Sequence, residues 1–327
     1  MSEAFKALEP LIAKKSNVKD AREFHSIVNV VFHDHEAKYY DSLHEEMWQN
    51  LPREYHLLVN DALPHITNKT GLKLLDIGCG TGLATQLLLN TALGDFIDEI
   101  HLLDTSSVML GEAKKRAKAW GKKIKIIHGD VTASTDTYDV IIFSSLLHHI
   151  PDLGQFLSRV SDLQNPGGLI ISIHDPALEA LESDVYRDRC KQFADNFNSH
   201  KAPTPFINRV INKIKRTLNP QDYIGAVNKT LLQKGVINQQ LTADEIWSVT
   251  DVHVEGLPYS ASDGISKQTL VSALPYYELI SYRTYCFFGL LSSKLTVEHQ
   301  KKEQELSLNG DLNGRNFGSV WLKKQEL

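Results

Sequence analysis

Along this chain the apolar positions change period twice. Residues 1–70 carry them at helical spacing: Ala4, Leu8, Leu11 and Ile12, then Ile27, Val30 and Val31, then Tyr40, Leu43, Met47, Leu51, Leu57 and Leu58. This predicts amphipathic helices, with Pro52 marking a break or a fresh helix start. From residue 72 the pattern becomes short apolar runs. Leu72 to Ile77, Ile100 to Leu103, Ile124 to Ile127, Val140 to Phe143 and Gly168 to His174 read as strands. Residues 83–92, 106–120 and Pro151 to Leu163 read as the helices between them. Strands alternating with helices imply right-handed crossovers and a mostly parallel sheet.

After Asp175 and Pro176 the alternation stops. Residues 177–264 are polar and mostly helical, with turn signals at Pro203 to Pro205 and at Pro220. It returns with a helix over Ser266 to Ala273 and two abutting β-rich segments, Tyr277 to Tyr282 and Thr284 to Leu291. These are expected to supply the last strands of the sheet, as a hairpin or as one long strand. The charged stretch from Glu298, with turn signals at Asn309-Gly310 and Asn313-Gly314, is expected to be peripheral. The division is therefore a helical extension 1–70, a core 71–176, a helical cap insertion 177–264, completion of the core sheet in 265–292, and a tail 293–327.

Length and composition narrow the class. The chain has 327 residues, 23% charged and 42% hydrophobic, as in an ordinary globular protein rather than a disordered one. Net charge is -5, which offers no global electrostatic attraction for nucleic acid. Cys79, Cys190 and Cys286 are odd in number and widely spaced, fitting no disulfide framework or paired-cysteine metal site. No apolar run approaches the ~18 residues of a membrane span, and residues 1–15 lack a signal-peptide pattern. A cytoplasmic protein is the expectation.

The chemistry concentrates in Leu74 to Gly82, LLDIGCGTG: a strand, a turn with glycines at 78, 80 and 82, then a helix. Glycines permit positive φ and close backbone approach to a ligand, and the helix N-terminus favours polar or anionic groups. A dinucleotide fingerprint would need a third glycine at 83, where Leu83 stands. Asp76 is poor company for a pyrophosphate but a good partner for an ammonium group. S-adenosylmethionine (SAM), with an amino-acid end and no phosphate, fits better than NAD.

LLDIGCGTG resembles the first motif of class I SAM-dependent methyltransferases. The resemblance runs in order through Leu103 and Asp104, Gly129 to Val131, Tyr138 to Val140 with Leu147 to Asp152, and Asn165 to Gly168. It implies a doubly wound, Rossmann-like α/β sheet of seven strands, mostly parallel, the last antiparallel. Carried over position by position, Gly78, Gly80 and Gly82 would shape the loop against the amino-acid end of SAM. Asp76 would meet that end directly or through water. Asp104 would accept hydrogen bonds from the ribose hydroxyls, as a two-oxygen acceptor facing a vicinal diol. Asp130 and Val131 would sit at the adenine edge, with Met109 on ribose or adenine. Ser144 would border the methionine portion, and Cys79 and Thr105 complete the cofactor set. The stretch Phe32 to Asp41 resembles the lead-in that forms a helical lid over SAM in many small-molecule methyltransferases, which would bring Tyr40 to the site.

For the acceptor, Ser144 to Leu147 stand where many amine-directed enzymes carry an Asn/Asp-Pro-Pro-aromatic motif. The resemblance therefore implies a small-molecule acceptor, with oxygen or activated carbon favoured over an amine. Four histidines are candidate bases, because an imidazole titrates near neutral pH: His149 first, then His148, His174 and His253. His33, His35 and His44 lack a third ligand at a diagnostic spacing, so no metal is expected. The runs Lys114 to Lys125 and Arg209 to Arg216 read as solvated faces rather than nucleic-acid patches. Membrane partners are not expected, and no residue pattern sets an oligomeric state. The alternatives are a non-catalytic SAM- or S-adenosylhomocysteine (SAH)-binding regulatory module and an NAD-dependent oxidoreductase. Asp104→Ala should weaken SAH binding by more than about tenfold, because charge-assisted hydrogen bonds contribute ~1.5–3 kcal/mol each. Calorimetric titration checks this; unchanged affinity would mean that the ribose is held elsewhere.

Overall fold

The computed structural model of the chain describes residues 2–43, 45–197, 220–289 and 295–325. His44, the Pro203 to Pro205 turn signal, the cations Arg209, Lys213, Lys215 and Arg216, and Leu290 and Leu291 lie outside the described residues.

The N-terminal region is helical as its periodicity predicts: α1 (Glu3–Lys15), α2 (Ala21–Glu36), α3 (Tyr40–Leu43) and α4 (Glu45–Ala62). Pro52 does not interrupt α4. Its neighbours Met47, Leu51, Tyr55, Leu58 and Val59 are all buried against the sheet, and that packing outweighs the local penalty of a mid-helix proline. The core then alternates: β1 (Leu72–Ile77), α5 (Leu83–Leu89), β2 (Ile97–Asp104), α6 (Ser107–Ala117), β3 (Lys123–His128), β4 (Tyr138–Ser144), α7 (Leu153–Leu163) and β5 (Gln164–Pro176). Helices α8 (Leu178–Glu182), α9 (Asp184–Phe197), α10 (Pro220–Gln233) and α11 (Ala243–Thr250) follow. The chain ends with α12 (Lys267–Ala273), β6 (Tyr277–Tyr285), α13 (Val297–Leu308) and β7 (Asn316–Lys323).

Seven strands form one sheet in the order β3-β2-β1-β4-β5-β7-β6. Strands β1 to β5 are mutually parallel, and β7 runs antiparallel to both β5 and β6. The order reverses between β1 and β4, which opens a crevice at the carboxyl ends of those strands. Successive residues of β1 serve opposite faces. Leu74 packs with α4, α5 and α6, while Leu75 packs with α7 and α12. A third core joins the N-terminal helices to the insertion: Phe5, Leu8, Phe24, Val28 and Phe32 meet Tyr223, Val227, Leu231, Ile246 and Val249. Lys15 Nζ and Glu245 Oε2, 2.6 Å apart, close the same junction. Helices α1 and α2 of the extension thus form one cap with α10 and α11 of the insertion.

The end of the chain corrects the sequence reading. Among the described residues of 277–291 there is one strand, β6, and the tail from residue 293 is not peripheral. It supplies β7, which is inserted between β5 and β6, with Ile170 opposite Trp321 and Thr284 opposite Phe317. Phe317, Val320 and Trp321 are at most 2% exposed. Two sheet edges that would otherwise show unpaired backbone groups are thereby satisfied at once. Gly318 matters here because a Cβ would come within 2.8 Å of Leu58 Cδ1 on α4. A chain ending at Leu308 should lose cooperative thermal unfolding, and Trp321→Ala should cost about 3–5 kcal/mol by denaturant titration. A truncated chain that melts like the intact one would restore the peripheral reading.

Candidate active site

The glycine turn is built by the strand before it and the helix after it. β1 ends at Ile77, and Gly78 and Gly80 adopt φ of +64° and +52°. A Cβ on Gly80 would meet nothing within 4 Å, so its backbone faces open space. The loop is anchored from the neighbouring strand. Asp104, at the end of β2, accepts from Gly80 N–H through Oδ2 at 2.8 Å and from Ser106 N–H through Oδ1 at 2.8 Å. Ser106 caps α6 by accepting from Met109 N–H, and its hydroxyl donates to Asp34 Oδ1 of α2 at 2.5 Å. Thr81 Oγ1 donates to Asp41 Oδ1 at 2.9 Å, and Arg116 donates to the same carboxylate. The segment Phe32 to Asp41 is therefore bolted across the loop, and one member of the basic run, Arg116, serves that bolt.

A cavity of about 630 Å³ opens in the crevice between β1 and β4. Gly78, Gly80, Asp104, Thr105, Met109, Asp130, Val131, Ser144 and Tyr40 line it. Asp130 also accepts from Thr132 N–H and Oγ1, capping a short turn at the rim. Asp76, Cys79 and Gly82 are not among the described lining residues and stand behind the loop. Gly82 caps α5 with φ +80°, and an added Cβ would come within 3.2 Å of Trp120. Cys79 is buried, and burial pushes its thiol up. These two serve the shape of the turn.

Asp76 is fully buried. Its Oδ2 accepts from Thr85 Oγ1 at 2.6 Å, whereas Oδ1 has no partner among the described residues. Ser144 Oγ and Tyr55 Oη are buried beside it and hydrogen-bonded to one another. A buried polar atom without a partner costs about 1–3 kcal/mol, so Asp76 Oδ1 marks a place where a polar group can be received. Burial raises the Asp76 carboxyl to about 7, the hydrogen bond from Thr85 opposes this, and the charge of Asp104 adds to it.

The four candidate histidines separate. His149, in the one-turn 3₁₀ helix after β4, lines the cavity. Its Nδ1 stands 2.8 Å from the Thr250 carbonyl and 3.0 Å from Asp251 Oδ1. His148 is beside it, ring centroids 4.0 Å apart, with Nδ1 2.7 Å from Asp175 Oδ1. Burial pulls His149 down, but the hydrogen bond and charge of Asp251 outweigh it and leave that imidazole raised, whereas burial first, and then the neighbouring His149, hold His148 well below the ordinary imidazole value. His253 is turned away: Nδ1 meets Ser262 and Nε2 the Ile150 carbonyl. His174, with φ +74°, bonds Tyr285 Oη at 2.8 Å on the far side of β5. Neither belongs to the described lining.

Sequence reasoning missed the contribution of α2. Arg22, His25, Ser26, Asn29 and His33 recur at three- and four-residue intervals and face the cavity. In the sequence this stripe is indistinguishable from a solvated polar face. The His25 Nε2 atom is buried without a partner among the described residues, and burial lowers that imidazole to about 3.

Comparison with known proteins agrees with this geometry. The family described as a methyltransferase domain matches residues 75–170. A demethylmenaquinone methyltransferase of Lysinibacillus sphaericus is 31% identical over 129 residues, covering 38% of this chain and 52% of that one. A carboxy-S-adenosyl-L-methionine synthase of Campylobacter curvus is 35% identical over 126 residues, 38% of this chain and 48% of that one. The chain spans about half the length of these curated relatives. Among solved structures, a SAM-dependent methyltransferase from Clostridium acetobutylicum aligns over 83% of this chain and 91% of its own, at 11% identity and TM-score 0.42. Residues 75–170 of the chain thus carry a methyltransferase domain.

Burial keeps a proton on Asp76 below about pH 7, and a ligand ammonium group placed against that carboxyl would have to displace it. SAH affinity should therefore rise as pH increases from 6 toward 7 and level off above it, by up to about tenfold per pH unit. Calorimetry across that range checks it. The slope should flatten in Asp76→Asn, and a slope that survives that substitution would assign the proton to another group.

Proposed function

We propose that this chain is a SAM-dependent methyltransferase acting on a small-molecule acceptor, through oxygen or an activated carbon rather than an amine. The observation that carries the reading is one cavity shared by two kinds of residue. The glycine loop and Asp104 line one part of it, and His149 with the polar face of α2 lines the rest. Several matched relatives have small-molecule names, demethylmenaquinone methyltransferase and a ubiquinone biosynthesis O-methyltransferase of Rhodopseudomonas palustris among them.

When bound, SAM supplies a methyl group on a sulfonium, which leaves readily, so the protein's task is alignment and exclusion of water. Asp76, Ser144 and the Gly78 to Gly80 backbone hold the amino-acid end, Asp104 the ribose, and Asp130 with Val131 the adenine edge. The lid over the loop, closed by Asp34 on Ser106 and Asp41 on Thr81, shuts out solvent. His149 faces the acceptor. Its Nδ1–H is committed to the Thr250 carbonyl and Asp251, which leaves Nε2 to meet an acceptor hydroxyl. His148 stands behind it on Asp175.

A regulatory SAM-binding module would have no use for a polar acceptor half, and an NAD enzyme would lack a partner for the buried Asp76. With methyl-labelled SAM and a panel of phenols, quinols, enols and carboxylates, the protein should label at least one acceptor. His149→Ala should cut turnover by about 10²-fold or more, with SAH affinity retained. Tight SAH binding with no labelled product would favour the regulatory module, and NADH binding without SAH binding would favour the oxidoreductase.

A further inference from the structure

One end of the cavity is built from two helix beginnings that face each other. Arg22 lies in the first turn of α2 and Gln155 in the first turn of α7, and both line the cavity. Arg22 Nη1 donates to Gln155 Oε1 at 3.3 Å, a long bond to a neutral acceptor. The guanidinium carbon stands 5.4 Å from the centroid of the Phe5 ring, a cation–π contact that steadies the side chain. No carboxylate among the described residues pairs with Arg22.

Its charge serves no other purpose in the fold. A cation in the first turn of a helix opposes the macrodipole, so α2 gains nothing from it. The other arginine of the lining is spent: Arg159 donates to the Ser134 carbonyl at 2.8 Å and stands 3.6 Å from Asp162. The acid nearest to Gln155 along α7 is spent too, because Asp152 Oδ1 caps that helix by accepting from Gln155 N–H at 3.0 Å. What remains around Arg22 can donate. Gln155 turns its carbonyl oxygen to the guanidinium, which leaves its Nε2 uncommitted among the described residues. Ser26 and Asn29 follow about one and two turns along α2 and line the same cavity.

We propose that Arg22 and Gln155 form a subsite for a carboxylate carried by the methyl acceptor, at a distance from the atom that is methylated. The planar guanidinium offers two parallel N–H bonds to the two carboxylate oxygens, and Gln155 Nε2 adds a third donor. The inference rests on the small-molecule acceptor reading above and narrows its substrate class. His25, about one turn after Arg22, meets the backbone of His149. The carboxylate subsite and the His149 region are therefore neighbours along one face of α2, with Phe5 and Ile150 as apolar wall. A single ring with its nucleophile at one end and its carboxylate at the other matches that layout.

The test uses the full chain loaded with SAH and titrated by calorimetry with 3- and 4-hydroxybenzoate and with the corresponding hydroxybenzamides. SAH affinity is measured in parallel, and a variant that binds SAH counts as folded. At least one acid should bind about tenfold or more tighter than its amide, and that preference should shrink as salt rises from about 0.05 to 0.5 M. Arg22→Gln should abolish the preference with SAH affinity retained, whereas Arg22→Lys, which keeps the charge without the fork, should keep part of it. For any carboxylated acceptor that becomes labelled, Arg22→Gln should raise KM more than it lowers kcat. Equal binding of acid and amide, or a preference that survives Arg22→Gln, would overturn the subsite and leave the methyltransferase reading standing. A fall of tenfold or more in SAH affinity in Arg22→Gln would overturn it as well, by placing Arg22 on the cofactor. A preference lost in Arg22→Gln by a protein that does not bind SAH would support the subsite and count against the SAM reading.

Discussion

The carboxylate of Asp104 holds the functional half of this molecule together. It sits at the end of β2 and accepts the backbone N–H of Gly80, so it fixes the glycine turn of β1 from the side. Its other oxygen accepts from Ser106, which begins α6 and in turn grips Asp34 of the lid. Loop and neighbouring helix therefore share one half-buried acceptor, which the lid reaches through Ser106. Burial raises its carboxyl, and the two backbone donors pull the other way. The same side chain also lines the cavity, which is why one residue couples the shape of the loop to the ligand it receives.

Around this anchor the molecule divides its labour by sheet geometry. The reversal of strand order at β1 and β4 creates the crevice, and the residues following those strands point into it. β7 contributes nothing to that crevice. It gives the sheet its width, and its glycine at 318 lets α4 lie close against the face opposite α7. The cap contributes one face of α2, which is held in place by its core with α10 and α11.

Much of the core was legible because it is local. Leu72 to Ile77 followed by glycines is strand then turn whatever surrounds it, and Asp104 and Asp130 follow strands whose apolar runs are plain. The tail was read as peripheral because Phe317, Val320 and Trp321 are separated by glycine and serine and sit among turn signals and charge. No short window shows that β5 and β6 each have an edge waiting for them. Pro52 was misjudged for a similar reason. Helix propensity is a weak local preference, and the buried row from Met47 to Val59 outweighs it.

The sequence by itself determined the class of cofactor. Positive φ at the loop glycines and a carboxylate at the end of the next strand are requirements that single positions express. Only the tertiary structure decided the acceptor side. His33, His149 and Asp251 come from a helix of the extension, a turn of the core and the end of an insertion helix, more than 100 residues apart at the widest step between His33 and His149. Their convergence depends on long-range packing that buries apolar faces with no fixed spacing. It also decided which of these histidines reaches the cavity: His149 faces it, whereas both ring nitrogens of His253 are already engaged and His174 bonds Tyr285.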